Sequence, residues 1–425
     1  MLRPALPLFA ALVFGCETAP SRGAPFVYAG VLRADGRAVV SGSQGLYAST
    51  GDRVRVLSSQ SFFAALDARG ALRWQRLAGD GGSVFSVASQ GEHAVGVSLE
   101  DDGVARLWQV TDAGDARATD LTLARAPTTA RVAADAGGLY LATVTLSPRS
   151  QTLARLEADG TARWSWALAD GDNVVAPVPL RDGGVALVGN LRVGAAWQVR
   201  VVTFSPEGQV LRARSYGLQG GLMAMDAAAT ADGGVLLAAT NFAPGNAYDH
   251  DLVLAWLDPQ GAVLRARRLS RHTPSHEHRV PSGLAAAVHS DADGRVLIAT
   301  GIHAAGTDTA DLALVELGPD GASRAQYALH PERFAAPLDV TPTPEGPRVL
   351  AYVNGGAAMV MAWTFPLHGP PCRGTTWDPA LPLTDASLTA EDLSVTTVPL
   401  PITARALSPV GRAPDPPFAV SSCGG

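Results

Sequence analysis

The sequence predicts an all-β chain folded as a β-propeller of seven blades, each of four antiparallel strands, with six or eight blades as the alternatives. Three observations carry that expectation. A short apolar strand following an Asp-Gly type of turn begins at Val39, Val95, Leu139, Val185, Val235, Val296 and Val349, at steps of 44 to 61 residues. The turn glycine of the next hairpin repeats alongside it, at Gly70, Gly114, Gly160, Gly208, Gly261 and Gly321, with Gly369 a less regular seventh. An arginine follows each of the first six glycines by three or four residues: Arg73, Arg117, Arg163, Arg212, Arg265 and Arg324. A two-sheet sandwich has no sevenfold repeat of this length, and β-helix coils are shorter.

The repeat is clearest from Asp232 to Leu269. A DGG turn is followed by the apolar VLLAAT, a polar loop, LVLAWL, the turn DPQG, and VLRARRL with arginines at alternate positions. Strands apolar at every position read as covered on both faces. Alternation in the last strand reads as one wet face, where charge keeps an outer edge from pairing with other chains.

Taken in order, blade one runs from FVYAGVL at Phe26 to ALRWQRL, with a long middle insertion from Ser43 to Ser59. Blades two to four follow as SVFSVAS to the strand after Gly114, TARVAA to TARWSWAL, and VVAPVPL to QVLRARS. Blade five opens on GLMAMDAAAT, blade six on GLAAAVHS, and blade seven has PLDVTPT, RVLAYV and AAMVMAWTF before the pattern fades. From Pro370 the composition turns to Pro, Thr, Ser and Asp, with one strand-like run at Leu393–Ala404. Two readings stand for this tail: the missing outer strand of blade seven, or a separate flap.

The expected organisation is therefore a signal at 1–16, a tether at 17–25, the propeller at 26–370 and a disulfide-closed tail at 371–425. Residues 1–16, MLRPALPLFAALVFGC, carry Arg3 and then an apolar run from Ala5 to Phe14, the parts of a secretory signal and too short to span a bilayer. Its end, Val13-Phe14-Gly15-Cys16, resembles the lipobox of bacterial lipoproteins, although Phe14 is bulkier than that family places there. The resemblance implies lipidation at Cys16, export and a cell-envelope location. With Glu17 after the cysteine rather than aspartate, the outer membrane is the favoured destination. Cys372 and Cys423 then remain as an even pair in an oxidising setting, which reads as a disulfide.

Of the 425 residues 17% are charged, and 33 basic side chains stand against 39 acidic ones for a net charge of −6. That balance argues against a nucleic-acid partner. Every basic side chain is an arginine.

The fragments Ala65-Leu66-Asp67…Gly70…Trp74 and Ala154-Arg155-Leu156…Asp159-Gly160…Trp164 resemble the repeat of the pyrroloquinoline-quinone-like propeller superfamily. That superfamily includes quinoprotein dehydrogenases and a lipoprotein of the outer-membrane barrel-assembly machine. The resemblance implies the propeller and not the quinone chemistry, because the adjacent cysteine pair typical of those dehydrogenases is missing.

One loop stands out chemically. His272, His276 and His278 lie between the outer strand of blade five and the inner strand of blade six. Propeller topology places that connection on the same rim as the middle loops bearing His250 with Asp249 and Asp251, and His303 with Asp308. Imidazoles and carboxylates are ligands for zinc and similar ions, so this rim is a candidate metal or ligand site. The alternative is a solvated polar insertion, and no cofactor is otherwise expected. Asp291-Ala292-Asp293-Gly294 has the alternating aspartates of a calcium loop but falls where other blades have hairpin turns. No G-x-S-x-G, H-E-x-x-H, P-loop or dinucleotide fingerprint occurs.

The function these features imply is a lipid-anchored, non-catalytic binding or scaffold module, with envelope proteins or glycans as partners. The alternatives are a glycan- or peptide-directed hydrolase or lyase with a channel site, and a subunit of an envelope assembly complex.

Overall fold

The computed structural model describes residues 21–422 apart from 23–25, 51–52, 69–70, 81–82, 101–103, 147–148, 170, 242–250, 270–285, 304–309, 331–333, 355–358, 366–374, 378–380 and 408–418. The described residues form strands and turns, without a helix.

Seven sheets stand round one axis. Blade one is Phe26–Leu32, Ala38–Thr50, Arg53–Leu66 and Leu72–Asp80. Blade two is Ser83–Gln90, His93–Leu99, Ala105–Thr111 and Ala116–Leu123. Blade three is Thr129–Asp135, Gly138–Leu146, Arg149–Leu156 and Ala162–Ala169. Blade four is Asn173–Pro179, Val185–Val193, Ala196–Phe204 and Val210–Gly217. Blade five is Leu222–Ala229, Val235–Asn241, Leu252–Leu257 and Val263–Leu269. Blade six is Ala286–Ser290, Val296–His303, Ala310–Leu317 and Ser323–His330. Blade seven has Phe334–Thr343, Gly346–Asn354 and Met359–Thr364. Each blade's inner strand touches the next, and the circle closes from Phe334–Thr343 to Phe26–Leu32.

The core is divided by blade interface. Val235, Leu237 and Ala239 pack against blade four, whereas the intervening Leu236 and Ala238 pack against blade six. Side chains alternate across a strand, so a sheet covered on both faces needs apolar residues throughout. Leu236, Leu254, Ile298 and Val315 are fully buried, and burying each is worth roughly 1.5–3 kcal/mol before the entropy of ordering.

The DGG signature has a steric cause. In Asp232-Gly233-Gly234 the first glycine has φ +86°, and a Cβ on Gly234 would stand 1.9 Å from the carbonyl oxygen of Leu257. The third strand passes too close for any side chain there.

The outer-strand arginines act differently from the sequence expectation. Two of them, Arg212 and Arg265, meet the turn of the next blade instead of guarding a bare edge, whereas Arg163 pairs with Glu157 of its own hairpin. Arg212 donates to the Pro259 carbonyl at 3.0 Å and Arg265 to that of Pro319 at 3.1 Å. Trp74 and Trp164 make the same kind of contact through their indole N–H, to Asp112 and Pro206 at 2.9 Å.

Five outer edges are covered because the tail runs back round the ring. Thr375–Trp377 pairs antiparallel with the outer strand of blade six, Leu383–Asp385 with five, Thr389–Asp392 with four, Thr397–Pro399 with three and Ile402–Ala406 with two. Ala419–Ser422 then lies parallel to Met359–Thr364 as the fourth strand of blade seven. The run Leu393–Ala404, read as one strand, is therefore split between two blades. Pro399 and Pro401 flank the break, and proline has no N–H to continue a ladder. Ser21–Arg22, inside the stretch read as a tether, pairs with Leu46 and Tyr47 of blade one.

Candidate functional site

The inner strands are sheet edges crowded round the axis, so some of their backbone N–H groups have no partner within the blade. The chain supplies acceptors for them from the preceding blade. The inner strands of blades one, two, four, five and seven carry a bulge, and in two, five and seven, between Val84 and Ser86, Ala224 and Asp226, and Pro337 and Asp339, a polar acceptor follows it. An extra residue re-aims the side chain that follows it. Ser86 Oγ accepts the N–H of Val132 at 3.1 Å, Asp226 Oδ2 that of Val288 at 2.8 Å, and Asp339 Oδ2 that of Leu32 at 2.6 Å. Each acceptor thus holds the inner strand of the blade that follows.

Two of these acceptors are half-buried carboxylates. Burial pushes the Asp226 carboxyl up to about 6, opposed by the N–H groups of Val288 and Ala227 and by Arg131. Burial pushes Asp339 up to about 7, opposed by the N–H groups of Leu32 and Val340, with repulsion from Asp226 adding to the rise. Arg131, on the inner strand of blade three, lies opposite Ala142 as Asp226 lies opposite Ala238, at the same depth in its blade. Its own pKa is lowered by burial and raised in part by Asp226. Asp339 sits about two residues nearer the turn, roughly 7 Å along the axis at strand rise. His289 on the inner strand of blade six is lowered by burial.

The axis thus gathers Arg131, Asp226 and Asp339 from blades three, five and seven. Arg131 acts on Asp226 alone of the two carboxyls, and carboxyls raised towards neutrality can exchange protons or orient a polar ligand. The sequence reading passed over all three. The available signal was a charge within a mostly apolar inner strand: Arg131 in TARVAAD, Asp226 in LMAMDAAA and Asp339 in FAAPLDVTPT.

Most of the expected histidine rim lies outside the described residues: His250, His272, His276, His278, Asp249 and Asp308. His303 ends the second strand of blade six, paired with Ala310. Asp251 precedes the third strand of blade five, with its carboxylate 3.9 Å from Arg268 Nε. The two therefore lie at the same end of neighbouring blades. No group of three or more potential metal ligands occurs among the described residues. Cys16, Cys372 and Cys423 lie outside them as well. Asp291 caps its own hairpin, accepting the N–H groups of Asp293 and Arg295 at 2.9 Å, which is turn chemistry.

A cleft of about 230 Å³ opens between blades five and six, lined by Asp232, Trp256, Leu264, Arg265, Ser290 and Pro319 among others. The Arg265 guanidinium lies 5.5 Å from the centre of a Trp256 ring, and Leu264 is 60% exposed.

The architecture defines the class: a seven-bladed β-propeller with a C-terminal belt. No family model and no characterised protein matches the sequence. Among solved structures the chain is similar to Sqt1 from Chaetomium thermophilum, at 13% identity over 85% of this chain and 91% of that one, with a TM-score of 0.42. It is similar also to the β-propeller domain of the Trilobed protease from Pyrococcus furiosus, at 8% identity over 86% and 97%, TM-score 0.45. A puromycin hydrolase matches at 16% identity over 84% of this chain and 55% of that one, TM-score 0.47. At these identities the likeness extends no further than fold.

Proposed function

We propose that this protein is an exported, lipid-anchored propeller that serves the cell envelope as a non-catalytic binding or scaffold module. The observation that carries the reading is how the charged groups of the ring are used. Asp226 and Asp339 hold the next blade's backbone, and Arg212 and Arg265 hold the next blade's turns. These charges maintain a rigid ring whose two faces are left to meet envelope proteins or glycans. Lipidation at Cys16 would tether it, with the outer membrane as the favoured site. Palmitate labelling tests the anchor: label should enter the native chain and be absent from Cys16→Ser, and equal labelling of both refutes it.

A second reading, a hydrolase or lyase acting on glycans or peptides, draws on the two axial carboxyls with pKa values near 6 and 7. A panel of chromogenic glycosides and peptides separates the two. Turnover lost in Asp226→Asn and Asp339→Asn favours the enzyme, and no turnover by the native chain favours the scaffold. The histidine rim remains a candidate metal or ligand site, to be tested by zinc titration in a calorimeter: no heat above that of a His276→Ala/His278→Ala chain removes it.

A further inference from the structure

We propose that one rim of the propeller, formed by the hairpins between second and third strands, lies on an anionic lipid surface, which it touches through Leu146, Val193 and the arginines beside them. This placement rests on the lipid-anchored reading and takes from it only the position of the anchor.

Apart from Val398 on the belt, the exposed large apolar side chains among the described residues fall into two groups on opposite rims. Leu146 and Val193, 56% and 49% exposed, end the second strands of blades three and four, at the hairpin tips. Val210, Leu211 and Leu264 stand near the start of the outer strands of blades four and five, at the other end of the sheets. In blade four Val185 pairs with Phe204, and Phe204 with Val210, so Val185 marks that other rim. Eight strand steps separate it from Val193, which sets the rims roughly 26 Å apart.

The first strand chooses between the two. Ser21 lies opposite Tyr47 and Arg22 opposite Leu46, on the second strand of blade one. Leu46 is seven residues beyond Val39, as Leu146 is seven beyond Leu139, so Ser21–Arg22 sits at the depth of the exposed tips. Because the pairing is antiparallel, this strand runs from the hairpin rim towards the body of the ring. Cys16 is outside the described residues, but five peptide units join it to Ser21, a span of at most about 18 Å. From Tyr47 to Val39, at the far rim, is eight strand steps, roughly 26 Å. An anchor at Cys16 can therefore hold the hairpin rim against a bilayer and cannot reach past the other.

The side chains of this rim suit that surface. Arg149, at the tip of blade three, is 62% exposed while it pairs with Asp172. Arg192 next to Val193, and Arg125 in the connection from blade two to blade three, are exposed as well. Aliphatic tips flanked by guanidinium groups match a lipid boundary, where alkyl groups enter and cations meet anionic headgroups. The opposite rim, with Leu211, Leu264 and the cleft between blades five and six, is then turned away from the membrane and open to envelope partners.

The test uses the lipidated chain with Cys372→Ser and Cys423→Ser, bound to phosphatidylglycerol vesicles that contain brominated acyl chains. A fluorophore is placed in turn on Leu146→Cys, Val193→Cys and Leu264→Cys. Bromolipid should quench the first two and leave the third at its intensity on unbrominated vesicles. Equal or stronger quenching at Leu264→Cys would overturn the proposal. If palmitate labelling finds no lipid at Cys16, the anchor reading has failed and the rim is judged alone, by flotation of the Cys16→Ser chain with the same vesicles. Adding Leu146→Glu and Val193→Glu should then weaken binding by about tenfold. No binding, or binding that these two changes leave intact, would overturn it.

Discussion

Asp339 and Leu32 stand 307 residues apart in sequence, yet the carboxylate of the first accepts the backbone N–H of the second at 2.6 Å. This bond crosses the interface of blades seven and one, where the ring closes. Around it the Leu350, Tyr352 and Val360 side chains of blade seven pack on Val40 and Phe62 of blade one.

Ring stability should fall as pH rises. Asp226 and Asp339 titrate near 6 and 7 in the folded chain, against about 3.9 when unfolded. Between those limits the folded chain holds more protons, so acid favours it and the advantage is lost as pH climbs through 6 to 7. Each ionised carboxylate then costs the fold at most about 3–4 kcal/mol at pH 8, less the share that solvent screens at these half-buried groups. Asp339→Asn keeps an acceptor for Leu32 without the charge. Its midpoint should rise at pH 8 and its slope between pH 5 and 8 should flatten in urea melts; an unchanged slope contradicts the burial account.

Removing the acceptor altogether has the opposite effect. Asp339→Ala leaves the Leu32 N–H without its partner, at a cost of about 1–3 kcal/mol. At pH 5, where charge is no longer the issue, this variant should unfold earlier than both the native chain and Asp339→Asn. Thermal melts at that pH give the comparison.

Arg212→Ala and Arg265→Ala should each destabilise by about 1 kcal/mol, the worth of one hydrogen bond across an interface, and their effects should add. Edge protection would show instead as aggregation at unchanged stability. Denaturant midpoints and light scattering distinguish the outcomes.

Belt ion pairs should contribute little. Asp385 and Asp392 lie 2.5 Å from Arg267 and Arg214, but their side chains are 88% and 77% exposed. Asp392→Ala should shift denaturant midpoints no more than the scatter between repeats, and high salt should erase any difference.

Gly234→Ala should be among the most damaging single-methyl changes, at several kcal/mol, because the added carbon meets the Leu257 backbone. Blade six has Arg295 at the corresponding place in its turn. Arg295→Ala should stay within about 1 kcal/mol by the same assay.

The contrast between those two turns shows what was legible in the sequence. Turn glycines and largely apolar second and third strands, such as LVLAWL, are local consequences of a blade covered on both faces. They repeat, and repetition revealed the ring. The belt could not be read this way, since Thr397–Pro399 and Leu383–Asp385 are too short for any periodicity and take their place from strands over a hundred residues away. The axial charges were visible as charged residues in mostly apolar strands. Their role was not, because an acceptor such as Asp339 is defined by a donor in another blade.

The belt is the feature on which most of this account rests, and a cysteine pair tests it directly. Thr122 and Thr403 are exposed partners on the outer edge of blade two. Cysteines at both positions, in a chain with the native cysteines replaced by serine, should oxidise to an intramolecular disulfide in nearly every monomer. Thiols that stay free, or that join only between chains, would mean that the tail does not girdle the propeller.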